Sequence, residues 1–408
     1  MIVEQLSLVD FRNYAVADVS LAPGPNVFVG RNGQGKTNLA EAIAFFATLG
    51  SHRVSNDAPM VRDGADAAII RARLAHGDRR VLLEVQLNRQ GSNTARVNGA
   101  PVKPAELPRY AQVVLFAPED LQIVRGDPAA RRRFADQLLV QRHPRMAGVL
   151  ADYERVLKQR NALLKTARLA RGKAIETLDV WDGHLTDLGG QLLAARLGLI
   201  ADLAPHVAAA YASVAGEDAA AAGLGYAATV PTAGDGSPLG PGAALPTAAE
   251  LTDAMRARVA ERRGDELDRG MTLVGPHRDD LVIHLGPAPA KGFASHGESW
   301  SLALALKLAT FALLRADGED PILILDDVFA TLDAQRRAAL AAVARSAEQT
   351  LITAAVLEDV PPELRGARVQ VGGGTATVLE QATMDGDTVE AGAVGGGVVE
   401  GDVVEGAP

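Results

Sequence analysis

Apolar positions alternate at the start of the chain, with Ile2, Val3, Leu6 and Leu8 on a strand-like repeat. A second short apolar run, "NVFVG", leads into a glycine-rich turn, and "TNLAEAIAFFATLG" then repeats at helical spacing. Segments 67–74, 80–87 and 93–103 read as antiparallel strands, with Asn98-Gly99 suited to a tight hairpin turn. "VVLFAP" predicts a short buried strand at 113–118. Beyond Pro128 the period becomes helical. Met146, Val149, Leu150, Tyr153, Val156, Leu157, Leu163 and Leu164 share one face, and a partner helix is expected around 174–214. His143-Pro144 should separate this helix from the one before it. Residues 215–248, rich in Ala, Gly and Pro, read as a flexible loop. Strand character returns near Leu273 and 281–285. A helix over 299–315, the strand "PILILDD", a helix from about 334 and the strand "TLITAAV" follow.

The pattern implies an α/β body interrupted by a helical lobe. Its parts are expected at 1–127 (N-terminal body), 128–268 (helical arm), 269–371 (C-terminal body) and 372–408 (a disordered Gly/Val/acidic tail). An arm helix over 145–171 would extend roughly 40 Å, too short for a long coiled coil.

Composition narrows the class. The chain has 408 residues, 48% of them apolar, and no cysteine, which excludes disulfides and thiolate chemistry. The N-terminus lacks a signal-peptide pattern, and the apolar helix around 302–314, interrupted by Lys307, reads as too short to span a bilayer. A cytoplasmic protein is expected. The net charge of −9 argues at first against a nucleic-acid partner. Residues 372–408 hold seven of the acids and no Lys or Arg, however, while 125–173 hold thirteen Lys or Arg against four acids. A basic segment therefore exists.

Three motifs carry chemistry. "GRNGQGKT", Gly30 to Thr37, fits the phosphate-binding loop between a strand and a helix. Its glycines allow backbone N–H groups to wrap phosphate at a helix N-terminus. Lys36 would bridge the β- and γ-phosphates and Thr37 would ligate Mg²⁺. "PILILDDVFATLD" ends a buried strand in Asp326, placed for Mg²⁺, with Asp327 beside it to polarise a water. Asp333 is either a helix cap or an interface residue. In "FASHGESWSLA", a Ser-His-Glu hydrolase reading fails because adjacent residues do not generally converge as nucleophile and base. Ser295, Gly297 and Glu298 fit a phosphate-reading helix start that serves a nucleotide held by another subunit, or a plain N-cap.

These motifs in this order resemble an ABC-type ATPase head of the SMC group, and more closely the RecF family. "LSLVDFRNY", "FAPEDLQIVRGDPAARRRFAD", "YERVLKQRNALLK", "GPHRDD" and "GESWSLALALKLA" carry that likeness over about residues 1–370. The resemblance implies an ABC/SMC-type P-loop head with an inserted, short coiled-coil-like helical lobe. It implies ATP and Mg²⁺ as cofactors, an ATP-dependent homodimer, and weak ATPase activity used as a switch in DNA repair. It also implies binding to DNA at gaps or single-strand/double-strand junctions, and work with RecR and RecO to load RecA. Gly30, Arg31, Asn32, Gly33, Gln34, Gly35, Lys36 and Thr37 would then hold ATP. Thr37, Asp326 and Gln112 would face the metal, Lys36 and Asp327 would act in catalysis, and Ser295, Gly297 and Glu298 would contact the opposite nucleotide. His296 departs from the glutamine often found at that position, and "LITAA" lacks the switch histidine of ABC transporters, as the RecF group generally does. Arg131, Arg132 and Arg133 either clamp DNA phosphates or form a solvated face, and Arg155, Lys158, Arg160, Lys165 and Arg168 extend the basic surface along the arm. "GPHRDD" is either a turn that carries His277 and Arg278 to a ligand face or a plain connection. A chromosome-structuring SMC protein is the first alternative, and the short arm opposes it. An ABC transporter subunit is the second, and the 258 residues between Lys36 and Ser295 oppose that.

Overall fold

A computed structural model describes residues 1–381 except 55, 170–176, 217–218, 231–234, 239–243 and 319, and in addition 389–390. The chain begins with β1 (Ile2–Phe11), β2 (Tyr14–Ser20), β3 (Gly24–Val29) and α1 (Lys36–Thr48). The strands β4 (Ala67–His76), β5 (Arg79–Asn88), β6 (Thr94–Val97), β7 (Ala100–Val102) and β8 (Val113–Phe116) come next. Helices α2 (Leu121–Arg125), α3 (Pro128–Arg142), α4 (Met146–Leu169) and α5 (Leu178–Ala215) form most of the insertion, followed by β9 (Ala222–Ala227), β10 (Asp235–Pro238) and α6 (Ala248–Arg269). The chain returns through β11 (Asp280–Leu285), β12 (Ala288–Pro289), α7 (His296–Ala316), β13 (Ile322–Asp326), α8 (Ala334–Ser346) and β14 (Gln349–Ala354). It ends in β15 (Ala367–Gly372), β16 (Thr375–Gln381) and β17 (Val389–Glu390).

The described residues form three sheets. An antiparallel sheet has the order β2-β1-β4-β5-β6-β7, and its β6–β7 turn places Asn98 and Gly99 at φ 51° and 82°, as the hairpin reading requires. The central sheet has the order β17-β16-β15-β3-β14-β13-β8, with β15 through β8 parallel. Parallel strands end at a common edge, so β3, β13 and β8 deliver their C-terminal loops to one side of the molecule. Helix α1 lies between these two sheets and is buried on nearly every face, including Leu39, Ile43, Phe45 and Phe46. A helix covered all round reads as apolar all round, which is why its sequence shows little amphipathic contrast.

The second core joins the arm to the body. Tyr153, Leu185, Leu192, Leu193 and Ile200 share one apolar cluster with Leu302, Leu306, Leu325 and Ile352. Helix α7 is 21 residues and α5 is 38, and both are long and apolar enough to cross a bilayer by length and composition. The expectation that the helix near 302–314 is too short is corrected: what characterises α7 is burial, from Leu302 through Leu306 completely, within this core.

Two further expectations change. Within 215–248, β9 is a buried strand that pairs with β11, Leu224 facing Ile283 and Tyr226 facing Leu281. Its "AGLGYA" sequence hid a strand because Gly and Ala have little strand preference of their own, and its ladder comes from two neighbours, β10 and, more than fifty residues away, β11. That pairing also crosses the boundary expected at 268. The tail was expected from 372, yet β16 extends the central sheet to Gln381 against β15. Residues 382–388 and 391–408, the rest of the expected tail, lie outside the described residues.

Candidate nucleotide site and its two separated halves

The first half forms where β3 meets α1. Gly33 and Gly35 adopt φ of 79° and 112°, a left-handed backbone that side chains rarely tolerate. At Gly30 space is the limit, because a Cβ would come 2.1 Å from the Val371 carbonyl oxygen. The β1–β2 turn closes over the loop. Asn13 donates to the Gln34 carbonyl at 2.9 Å, Tyr14 donates to the Gly35 carbonyl at 3.1 Å, and Gln34 Oε1 accepts from the Gly373 amide at 2.9 Å. Arg31 and Asn32 lie exposed at the tip. Lys36 is buried, and its ammonium donates to the Gly30 carbonyl at 2.7 Å and, at 3.3 Å, to Arg31 O and Asn32 Oδ1. Those carbonyls hold the cation at the mouth of the loop, where an incoming phosphate would replace them.

The β13 edge supplies the acidic part. Asp326 is buried, and its Oδ1 accepts from Thr37 Oγ1 at 3.0 Å and Thr353 Oγ1 at 2.6 Å. Burial raises the Asp326 pKa, and the two hydroxyls work against that rise. Thr353 also accepts from the Asp327 amide at 2.9 Å, so one hydroxyl positions both aspartates. Asp327 has φ 56°, an uncommon backbone for a non-glycine residue, which turns its carboxylate out of the strand. A hydroxyl and a carboxylate in contact at a P-loop helix start form an oxygen donor set that suits a hard divalent cation.

The "FASHGES" segment begins α7 with a capping box. Ser295 Oγ accepts from the Glu298 amide at 3.2 Å, and Glu298 Oε2 accepts from the Ser295 amide at 2.8 Å. These bonds hold the Glu298 carboxyl below its usual pKa. Arg336 of α8 donates to the Gly297 carbonyl at 3.1 Å and to Ser301 Oγ at 2.8 Å, and it pairs with the helix cap Asp333. Arg125 of α2 donates to Ser299 Oγ and His296 Nδ1, both at 3.1 Å, while Trp300 Nε1 lies 3.1 Å from His296 Nε2. A neutral imidazole accepts on one nitrogen only, so His296 satisfies Arg125 or Trp300 but not both at once.

Both halves sit at the same sheet edge but apart. Trp300 packs edge-on against Phe116, the last residue of β8, with centroids 6.3 Å apart. From β8 to β3 there are three interstrand steps, about 14 Å. Among the described residues no hydrogen bond or ion pair joins 295–298 to 30–37.

The family model for the RecF/RecN/SMC N-terminal domain matches residues 2–360. DNA replication and repair protein RecF of Leifsonia xyli subsp. xyli is 54% identical over 379 residues, covering 92% of this chain and 98% of its own. The Streptomyces avermitilis RecF is 54% identical over 381 residues, covering 92% and 99%. This chain belongs to the RecF family. The solved structure of the recombination mediator protein RecF-ATPrS in the RecFOR pathway shares the fold, with a TM-score of 0.83 over 93% of this chain and 98% of that one, at 24% identity. The body thus has the fold of an SMC-type P-loop head.

Within this RecF-family chain, several expected site residues fall elsewhere. Gln112 precedes β8, and its carbonyl accepts from the Ile322 amide at the N-terminal end of β13. It therefore lies about a strand's length from Asp326 and does not face the metal position. The acidic residues just beyond the other, C-terminal end of β8 are Glu119 and Asp120. Arg131 is buried and forms a bidentate pair with Asp280 at 2.7 and 2.8 Å, so its guanidinium is not available to DNA. Arg132 is half-buried and donates to the Asp279 carbonyl at 2.7 Å, whereas Arg133 is exposed. Arg160 is wholly buried on Asp182, Glu266 and Thr272, a structural staple rather than basic surface. His277 contacts Tyr153 Oη at 2.7 Å, and Arg278 donates to the Thr272 carbonyl, so "GPHRDD" is a connection that ties the arm to the body. Asn13, Arg125 and Arg336 act on the motifs from elements distant in sequence, and no local pattern marks them.

Proposed function

We propose that this RecF-family protein is an ATP-controlled DNA-binding switch in which two heads share two nucleotides. Residues Gly30–Thr37 hold the phosphates, with Lys36 released from the loop carbonyls onto the β- and γ-phosphates. Thr37 and Asp326 hold Mg²⁺, which neutralises phosphate charge when bound. Asp327 orients the attacking water. Ser295 and Gly297 present the α7 N-terminus to the nucleotide of the partner head, while Glu298 keeps that terminus capped. The observation that carries the reading is the separation of the two half-sites along one sheet edge. Each is formed, neither reaches the other, and a second copy turned to face the first brings them together. Hydrolysis is weak and stimulated by DNA, and it releases the closed state. The protein acts in the cytoplasm at DNA gaps or junctions, with RecR and RecO, to assist RecA loading. The name of the solved relative, a recombination mediator of the RecFOR pathway, supports that assignment.

Size-exclusion chromatography with light scattering tests the shared site. The protein is expected to be a dimer with ATP and a monomer without it. Ser295→Arg should block the dimer while nucleotide affinity stays within about threefold. A monomer under both conditions overturns the reading, and loss of nucleotide binding in Ser295→Arg would place that loop on its own chain's nucleotide.

A further inference from the structure

His52 lies in the loop after α1, 274 residues from Asp326 in sequence, yet its Nε2 sits 3.9 Å from Asp326 Oδ2. That nitrogen is buried and has no hydrogen-bond partner. On Asp326, both hydroxyl bonds fall on Oδ1, leaving Oδ2 as the oxygen that faces the ring. An unsatisfied buried nitrogen is costly and calls for an explanation. The gap is about 1 Å longer than a hydrogen bond, so a small rotation of either side chain closes it.

The loop is built to hold the ring there. Glu41 of α1 is fully buried and bound by Arg12 at 2.7 and 2.6 Å. Ser51 Oγ also bonds to Glu41, and it accepts from the amides of Arg53 at 2.9 Å and Val54 at 3.1 Å, closing a turn around His52. Arg53 in turn donates to Asn38 Oδ1 at 2.9 Å. A buried ion pair and a capped turn thus fix one imidazole whose buried, unpartnered Nε2 lies nearest the candidate metal carboxylate. His52 also lines a cleft of ≈ 420 Å³ between α1 and α3, together with Glu119 and Arg133, so the ring stands between the nucleotide site and open space.

We propose that His52 is a positioning residue of the metal–nucleotide site, its Nε2–H donating to Asp326 Oδ2 as the site closes on its ligand. Oδ1 keeps its threonine partners, and the carboxylate is held in one orientation from both sides. Ligand orientation by a neighbouring hydrogen bond is commonly worth 10–100-fold in metal affinity. The inference rests on the nucleotide reading above.

Two conservative variants separate a hydrogen bond from mere packing. The amide nitrogen of His52→Gln reaches the place of Nε2, and that of His52→Asn reaches only the place of Nδ1. Binding of Mn²⁺, as a spectroscopic probe for Mg²⁺, is measured by electron paramagnetic resonance with ATPγS bound. His52→Asn is expected to weaken Mn²⁺ about tenfold, and His52→Gln to stay within about threefold of the parent. Binding of ATPγS in EDTA should be unchanged in both. Equal Mn²⁺ affinity in the two variants overturns the inference, as does an equal loss in both. Absence of any Mn²⁺–ATPγS binding by the parent protein would instead sink the nucleotide reading itself.

Discussion

Thr353 is the smallest unit that explains the acidic half of the site. Its hydroxyl donates to Asp326 and accepts from the Asp327 amide, so it aligns the proposed metal carboxylate and stabilises the left-handed turn at Asp327. Thr353→Val keeps the shape and removes both bonds. It should lower the ATPase rate more than tenfold and cost about 1–3 kcal/mol of stability, since buried groups lose their partner. Phosphate release and urea denaturation would measure the two. A full-rate variant would mean that the β13 turn holds itself.

His277 gives a second test at this scale. Burial, with the nearby charges of Arg278, Arg132 and Arg160, lowers its pKa to about 4. In the unfolded chain it titrates near 6.5. The neutral ring is favoured in the native state, so its stabilisation is complete above about pH 6.5 and is lost as pH falls toward 4. The parent protein should lose up to about 1.4 kcal/mol per pH unit through this residue across that window. His277→Gln should show a shallower fall in melting temperature between pH 7 and pH 5. Parallel curves would disprove the linkage.

Among elements, the joint between arm and body is where charge was most easily misread. Arg160 sits on the α4 face and looked like one cation in a basic stripe, but it is enclosed by Asp182 on α5 and Glu266 on α6. Arg196 on α5 plays a similar part with Asp136 on α3 and the Pro276 carbonyl. These arginines lock helix to helix. Arg160→Met preserves the aliphatic stem and strands Glu266 as a buried charge, which should cost about 3–5 kcal/mol in chemical denaturation. An effect below about 1 kcal/mol would show that Glu266 finds another partner or a proton. The hairpin turn at Asn98-Gly99 and the break at His143-Pro144 were legible because backbone geometry limits the residues that fit. Strand β9 was not, since its glycines and alanines acquire their ladder from neighbouring strands, β10 and β11.

At the scale of the whole molecule, the basic surface open to the proposed DNA partner is narrower than the count of basic residues suggests. Arg131 and Arg160 are consumed internally, whereas Arg133, Lys158 and Lys165 are exposed. Replacing those three by glutamine should weaken binding to gapped DNA. It should also reduce the slope of log K against log salt by about 0.9 for each residue that touches a phosphate. An unchanged slope would move the DNA surface away from this face.

By itself, the sequence determined the local chemistry: a glycine loop ending in Lys36-Thr37, an apolar strand ending in Asp326-Asp327, and a capped helix start at Ser295. Each is a short stretch whose backbone needs or hydrogen bonds restrict the residues that fit. Only the tertiary structure decided which charges are free, at which strand end Gln112 falls, and that His52 faces Asp326. Those outcomes depend on burial and on strand order, which bring together groups up to several hundred residues apart. No local period encodes that proximity, because the free energy that selects it comes from the packing of whole sheets and helices.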